Sequence, residues 1–81
     1  MKIVVTGCTG YVGNYMIRHL AKAFPNAQIV GISRRGTARE GSDLKDTKKY
    51  PNVRFSKGDC LKKEQIQEEI SDADVVLHSI G

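Results

Sequence analysis

Ile3-Val4-Val5-Thr6-Gly7-Cys8-Thr9-Gly10-Tyr11-Val12-Gly13 is the stretch that decides how this chain folds. An apolar run passes at once into a glycine-spaced segment, the pattern of a strand that turns tightly into a helix. Gly7 can take the backbone angles of a sharp turn, Gly10 lets the main chain approach a pyrophosphate with no Cβ in the way, and Gly13 permits close packing of helix on strand. The unpaired N–H groups and the positive dipole end of that helix then bind the anion. A second strand, Gln28 to Ile32, closes a unit of roughly thirty residues, the size of a βαβ motif.

Outward from this unit the periodicity continues to set the elements. Val12, Met16, Leu20 and Ala23, with Ile17 and Phe24 beside them, recur at three- and four-residue spacing and predict an amphipathic helix from Val12 to Phe24, ended by Pro25-Asn26. Ser33 to Gly41 reads as a polar loop, and Ser42 as the cap of a short helix over Asp43 to Lys49. Val53 to Lys57 alternates like a strand, Gly58-Asp59 turns the chain, and Leu61 to Ser71 forms a helix with Ile66 and Ile70 one turn apart. The last strand, Ala73 to His78, carries the run Val75-Val76-Leu77, which predicts burial on both faces. The order βαβ(α)βαβ means an α/β fold with a parallel sheet, and right-handed crossovers give the strand order 3-2-1-4, with a binding crevice at the switch between strands one and four.

Length and charge narrow the classes. Eighty-one residues, 40% of them hydrophobic, make one small domain spanning 1–81. No stretch approaches the roughly twenty apolar residues of a membrane span, and a first strand entered by Ile3 leaves no room for a targeting segment, so the expected compartment is the cytosol. The net charge of +4 comes from 13 Lys and Arg against 9 Asp and Glu. No aromatic residues interleave with the basic ones in sequence as a nucleic-acid platform needs, so nucleic acid is not an expected partner. Cys8 and Cys60 flank the second strand, about two strand spacings or roughly 10 Å apart, which is beyond the reach of a disulfide. Neither cysteine has a Cys or His at metal-ligand spacing.

Nicotinamide dinucleotides differ at the ribose that the end of strand two meets. An NAD site usually places Asp or Glu about twenty residues past the glycines, and twenty past Gly13 is Ser33. Ser33 could instead hydrogen-bond a 2′-phosphate, Arg34 could stack on adenine or pair with the phosphate, and Arg35 or Arg39 would add charge. This favours NADP, with NAD as the alternative; the plain reading of these residues is solvated loop arginines.

The Thr-Gly-x-x-Gly-x-x-Gly turn, the strand end Ser33-Arg34-Arg35, the Gly58-Asp59 turn and the ending His78-Ser79-Ile80-Gly81 together resemble the N-terminal half of an extended or atypical short-chain dehydrogenase/reductase, an NAD(P)-binding Rossmann fold. Ile32-Ser33-Arg34-Arg35-Gly36 and Val75 to Gly81 are most similar to a mitochondrial branch that includes a complex I accessory subunit and a fungal coenzyme Q biosynthesis protein, which would imply a mitochondrial location. The resemblance implies that Gly7, Gly10 and Gly13, with Thr9, Tyr11 and Val12, hold the pyrophosphate. It also implies that Asp59 and Cys60 lie against the adenine and that Ser79 to Gly81 line the crevice near the nicotinamide side. Asp59 reads equally as a helix N-cap. His78 is expected as a buried strand-end histidine and His19 as an ordinary surface residue.

The family's catalytic pair is a Tyr with a Lys four residues later. Four past Tyr11, Tyr15 and Tyr50 stand Tyr15, His19 and Arg54, so the pair is absent from this sequence. The expectation is a dinucleotide-binding half-domain, truncated after its fourth strand and not catalytic alone. The alternatives are the cofactor half of an oxidoreductase or epimerase completed by other residues, and a non-enzymatic scaffold. An apolar fourth strand left open would self-associate or pair with a C-terminal half.

Overall fold

Side chains alternate across two central strands, and each strand therefore feeds two cores. The computed structural model describes residues 1–7, 10–59 and 61–79. Its elements are β1 (Lys2–Thr6), α1 (Tyr11–Ala23), β2 (Gln28–Ser33), a single 3-10 turn (Asp43–Lys45), β3 (Val53–Lys57), α2 (Lys63–Ser71) and β4 (Val75–His78). The four strands form one sheet in the order β3-β2-β1-β4 with every pair parallel, the expected arrangement. Ile3 and Val5 of β1 and Ile29 of β2 face α1, where Ile17, Ala21, Leu44 and Tyr50 join them. Val4, Val30 and Ile32 face the other way and pack on Ile66 of α2. Burial on both faces explains why β1 and β2 read as unbroken apolar runs.

The structure corrects several expectations. The buried stripe of α1 is Gly13, Ile17 and Ala21, spaced by four, rather than the row beginning at Val12, which is exposed. The helix predicted over Asp43 to Lys49 is one 3-10 turn: Ser42 caps it by accepting from the Leu44 N–H at 3.2 Å, and Asp46 then draws in the Lys48 and Lys49 N–H groups. The strand β4 is not buried on both faces. It is an edge bonded to β1 alone among the described residues, with Val75 39% exposed and Val76 and Leu77 half-buried. Cys8 and Cys60, and with them the question of a disulfide, lie outside the described residues.

Two fastenings hold the layers. The Asn52 Nδ2 group donates to the carbonyls of Ala21, Phe24 and Ala27 at 3.1–3.2 Å, tying the end of α1 to the start of β3. Helix α2 offers little apolar surface and is docked by charge instead. Glu69 receives Arg54 of β3 at 2.7 and 3.0 Å and Lys2 of β1 at 3.1 Å, while Lys2 also meets Asp72 at 2.6 Å. The Arg54 hydrogen bonds, with help from Lys2, hold the Glu69 carboxyl down at about 2.

Gly31 shows how tightly α1 lies on the sheet. A Cβ there would stand 2.8 Å from Ile17 Cδ1 and 2.9 Å from the Phe55 ring. Gly31→Ala is expected to cost about 1 to 3 kcal/mol through overpacking, read as a lower urea midpoint. The depressed Glu69 carboxyl stabilises the fold above its ordinary value of 4.5, and that contribution is lost as pH falls from there towards about 2. Glu69→Gln should cost about 1 to 2 kcal/mol at neutral pH and flatten part of this acid limb, which urea titrations across the range would measure.

Candidate functional site

The strand β1 ends at Thr6, and Gly7 turns the chain with φ 70°, an angle that favours glycine. Gly10 is the N-cap of α1 with φ −78° and ψ 167°, extended backbone that any residue adopts. Among the described residues, a Cβ built on Gly10 would meet only the Gly7 carbonyl oxygen, at an unstrained 3.8 Å. Neither its angles nor its packing among the described residues requires glycine at position 10, which stands at the N-terminus of α1. That N-terminus has no side-chain cap and no acid in its first turn. The first turn's N–H groups and the helix dipole favour an anion there. Tyr11 and Val12 project outward, 79% and 62% exposed, and Gly13 is buried against the sheet as expected. Thr9 lies outside the described residues.

At the end of β2 the chain makes a tight turn in which the Gly36 N–H donates to the Ser33 carbonyl at 3.2 Å, leaving Arg34 and Arg35 at its exposed corner. Gly36 closes the turn with φ 74°. The hydroxyl of Ser33 builds this turn rather than projecting from it. It donates to the Thr37 carbonyl and accepts from the Gly36 and Thr37 N–H groups, all at 3.0–3.1 Å, and Ser33 is only 5% exposed. With its proton and both lone pairs engaged within the turn, Ser33 shapes the display of the arginines. Beside the turn is a cleft of about 760 Å³ lined by Arg34, Arg35, Ala38, Arg39 and Glu40. Arg39 reaches from it to α1, its guanidinium carbon 3.6 Å from the centre of the Tyr11 ring. That contact, between residues twenty-eight apart, had no signal in the sequence.

The third edge of the site comes from β3 and β4. Asp59 is half-buried and accepts from the Leu61 N–H at 3.0 Å, so its carboxylate caps the turn that precedes α2, which begins at Lys63. Gly58 lets this turn close on the helix, since a Cβ there would stand 3.0 Å from Ile66. The Ser79 N–H donates to the Thr6 carbonyl at 3.1 Å, which places Ser79 at the ends of β1 and β4 where the strand order reverses. His78 is exposed, not buried as expected, and its Nδ1 shares a 2.8 Å hydrogen bond with the hydroxyl of Thr6, which is wholly buried. Thr6 was missed in the sequence, though a hydroxyl ending an apolar strand was its signal. His19 is exposed and stacked on Tyr15. Cys60 and Gly81 lie outside the described residues. Among the described residues no helix is long and apolar enough to cross a membrane.

The glycine turn, the arginine corner and the strand switch thus line one end of a Rossmann-like sheet, and the comparisons with known proteins agree with that geometry. The dTDP-D-glucose 4,6-dehydratase of Dictyostelium discoideum is 29% identical over 79 residues, 95% of this chain and 18% of that protein. The isoflavone reductase homolog A622 of Nicotiana tabacum is 34% identical over 82 residues, 99% of this chain and 26% of its own length. Among solved structures, a UDP-glucuronic acid 4-epimerase from Bacillus cereus in complex with NAD superposes with a TM-score of 0.72 at 27% identity, covering 96% of this chain and 26% of that one. The chain therefore spans about a quarter or less of the length of these relatives, and they single out no one branch. The model of the NAD dependent epimerase/dehydratase family matches residues 3–81, and this chain belongs to that family.

Proposed function

We propose that the chain binds the adenosine and pyrophosphate end of a nicotinamide dinucleotide and prefers NADP to NAD. The observation that carries this reading is the cleft beyond β2, where three arginines face a single acid, Glu40, in the place where NAD sites hold a carboxylate. A guanidinium matches a phosphate monoester in charge and hydrogen-bond geometry and offers nothing specific to a ribose diol. The α1 N-terminus, headed by Gly10 with no side-chain cap and no acid in its first turn, supports a pyrophosphate there. NAD is the second reading, favoured by the family's description and by the NAD bound in the B. cereus epimerase.

The bound nicotinamide supplies hydride transfer. These residues hold and orient the adenine end, with Asp59 against the adenine, and Ser79 lines the crevice towards the nicotinamide side. A Tyr-x-x-x-Lys pair is missing from the sequence, so the proton-transfer step of an epimerase or reductase falls to residues outside it. The open edge of β4 is the surface where the remaining part of such a protein would join the sheet.

Calorimetric titration of the chain should show NADPH binding more tightly than NADH, and Arg34→Asp should reverse that order by removing a contact of about 1.5 to 3 kcal/mol and adding repulsion. A parent chain that prefers NADH would decide for the second reading. Gly10→Val should abolish binding of both while leaving the circular dichroism spectrum and urea midpoint close to the parent's, because its Cβ fills ligand space and not core.

A further inference from the structure

The contact between Arg39 and Tyr11 joins the two halves of the site. Arg39 belongs to the segment between Gly36 and Gly41, both at positive φ, 74° and 82°. Beyond Gly41 the chain is pinned to α1 twice: the Ser42 hydroxyl donates to Asn14 Oδ1 at 2.8 Å, and Asp43 pairs with Arg18 at 2.7 Å. The segment is thereby carried across the first turn of α1, and Arg39 arrives over the Tyr11 ring. Tyr11 is 79% exposed and contributes little to either core, so the face it turns to Arg39 is its main described engagement.

Three guanidinium groups share one cleft with a single acid, Glu40, among its described lining residues, and repel each other there. An aromatic face attracts a cation and keeps the guanidinium N–H donors directed around its rim. We propose that Tyr11 is a positioning residue for Arg39, holding its guanidinium at the α1 side of the arginine cleft so that it meets the 2′-phosphate of the dinucleotide opposite Arg34. The pair then sets the preference between phosphorylated and unphosphorylated cofactors. This inference rests on the NADP reading above and adds to it a residue on α1 that touches the phosphate only through another side chain.

The test is the ratio of NADPH to NADH affinity, measured by calorimetry on the full chain and its variants. Tyr11→Leu should lower the ratio about two- to fivefold, the range of an exposed cation–π contact, while Tyr11→Phe, which keeps the aromatic face, should retain it. Arg39→Ala should lower it about tenfold, and Tyr11→Leu added to Arg39→Ala should lower it no further. An unchanged ratio in Arg39→Ala, or a fall in Tyr11→Phe as large as in Tyr11→Leu, overturns the inference. If Arg34→Asp reverses the parent's preference but Arg39→Ala leaves it untouched, this inference alone fails; if the parent has no preference for NADPH, the NADP reading fails and this one with it. Arg39→Ala remains decisive even should a Tyr11 variant fold poorly.

Discussion

Strand β1 is hydrogen-bonded along both edges and covered on both faces, and the rest of the molecule is arranged by that confinement. Its register places Thr6 beside Ile32 on one side and His78 on the other, so three strands end at one level. Gly7 then has to turn the chain where those ends meet, and α1 must start beside the strand switch. Helix dipole, glycine gap and arginine corner come together because one buried strand fixes the common level. A one-residue slip in β1 would exchange the faces of Val4 and Val5 and disturb both cores at once.

The two faces of the sheet are held by different physics. On the α1 side, aliphatic and aromatic side chains interlock closely enough that β2 carries a glycine to make room. On the α2 side the apolar contribution of the helix is Ile66 with part of Ile70, and Lys2, Arg54, Glu69 and Asp72 supply the remaining adhesion. Apolar contact is insensitive to pH, whereas an ion-paired contact responds to both pH and salt. Both sides therefore carry an acid-sensitive pair, Arg18–Asp43 beside α1 and Arg54–Glu69 at α2, and α2 has the smaller apolar share.

The sequence made the sheet legible because its strands are short apolar runs between glycine, proline and asparagine, and the crossover rule narrows the layouts open to that order. The rotation of α1 was not legible, because Val12 and Phe24 are as apolar as Ile17 and only the curve of the sheet selects Gly13, Ile17 and Ala21. The same holds for β4, whose Val75-Val76-Leu77 run reads like a central strand until its position at the edge is known. In the site, glycines announce themselves by spacing, and Arg34 and Arg35 by their place after a strand. The engagement of the Ser33 hydroxyl depends on an irregular turn closing on itself, and the Arg39–Tyr11 contact on a loop path across α1. Neither has a periodicity to read.

The Asn52 amide at the opposite end of the sheet has two hydrogens and serves three carbonyls, so at least one hydrogen is shared. An amide is also a bond that ages. Hydrolysis to a carboxylate would exchange the donor for an acceptor and set its oxygen among three carbonyl oxygens, with a negative charge added at the C-terminal end of α1, where the helix dipole already disfavours it. Slow chemical wear at this one side chain would thus unfasten the end of the sheet opposite the glycine turn, far from Gly7 and Gly10.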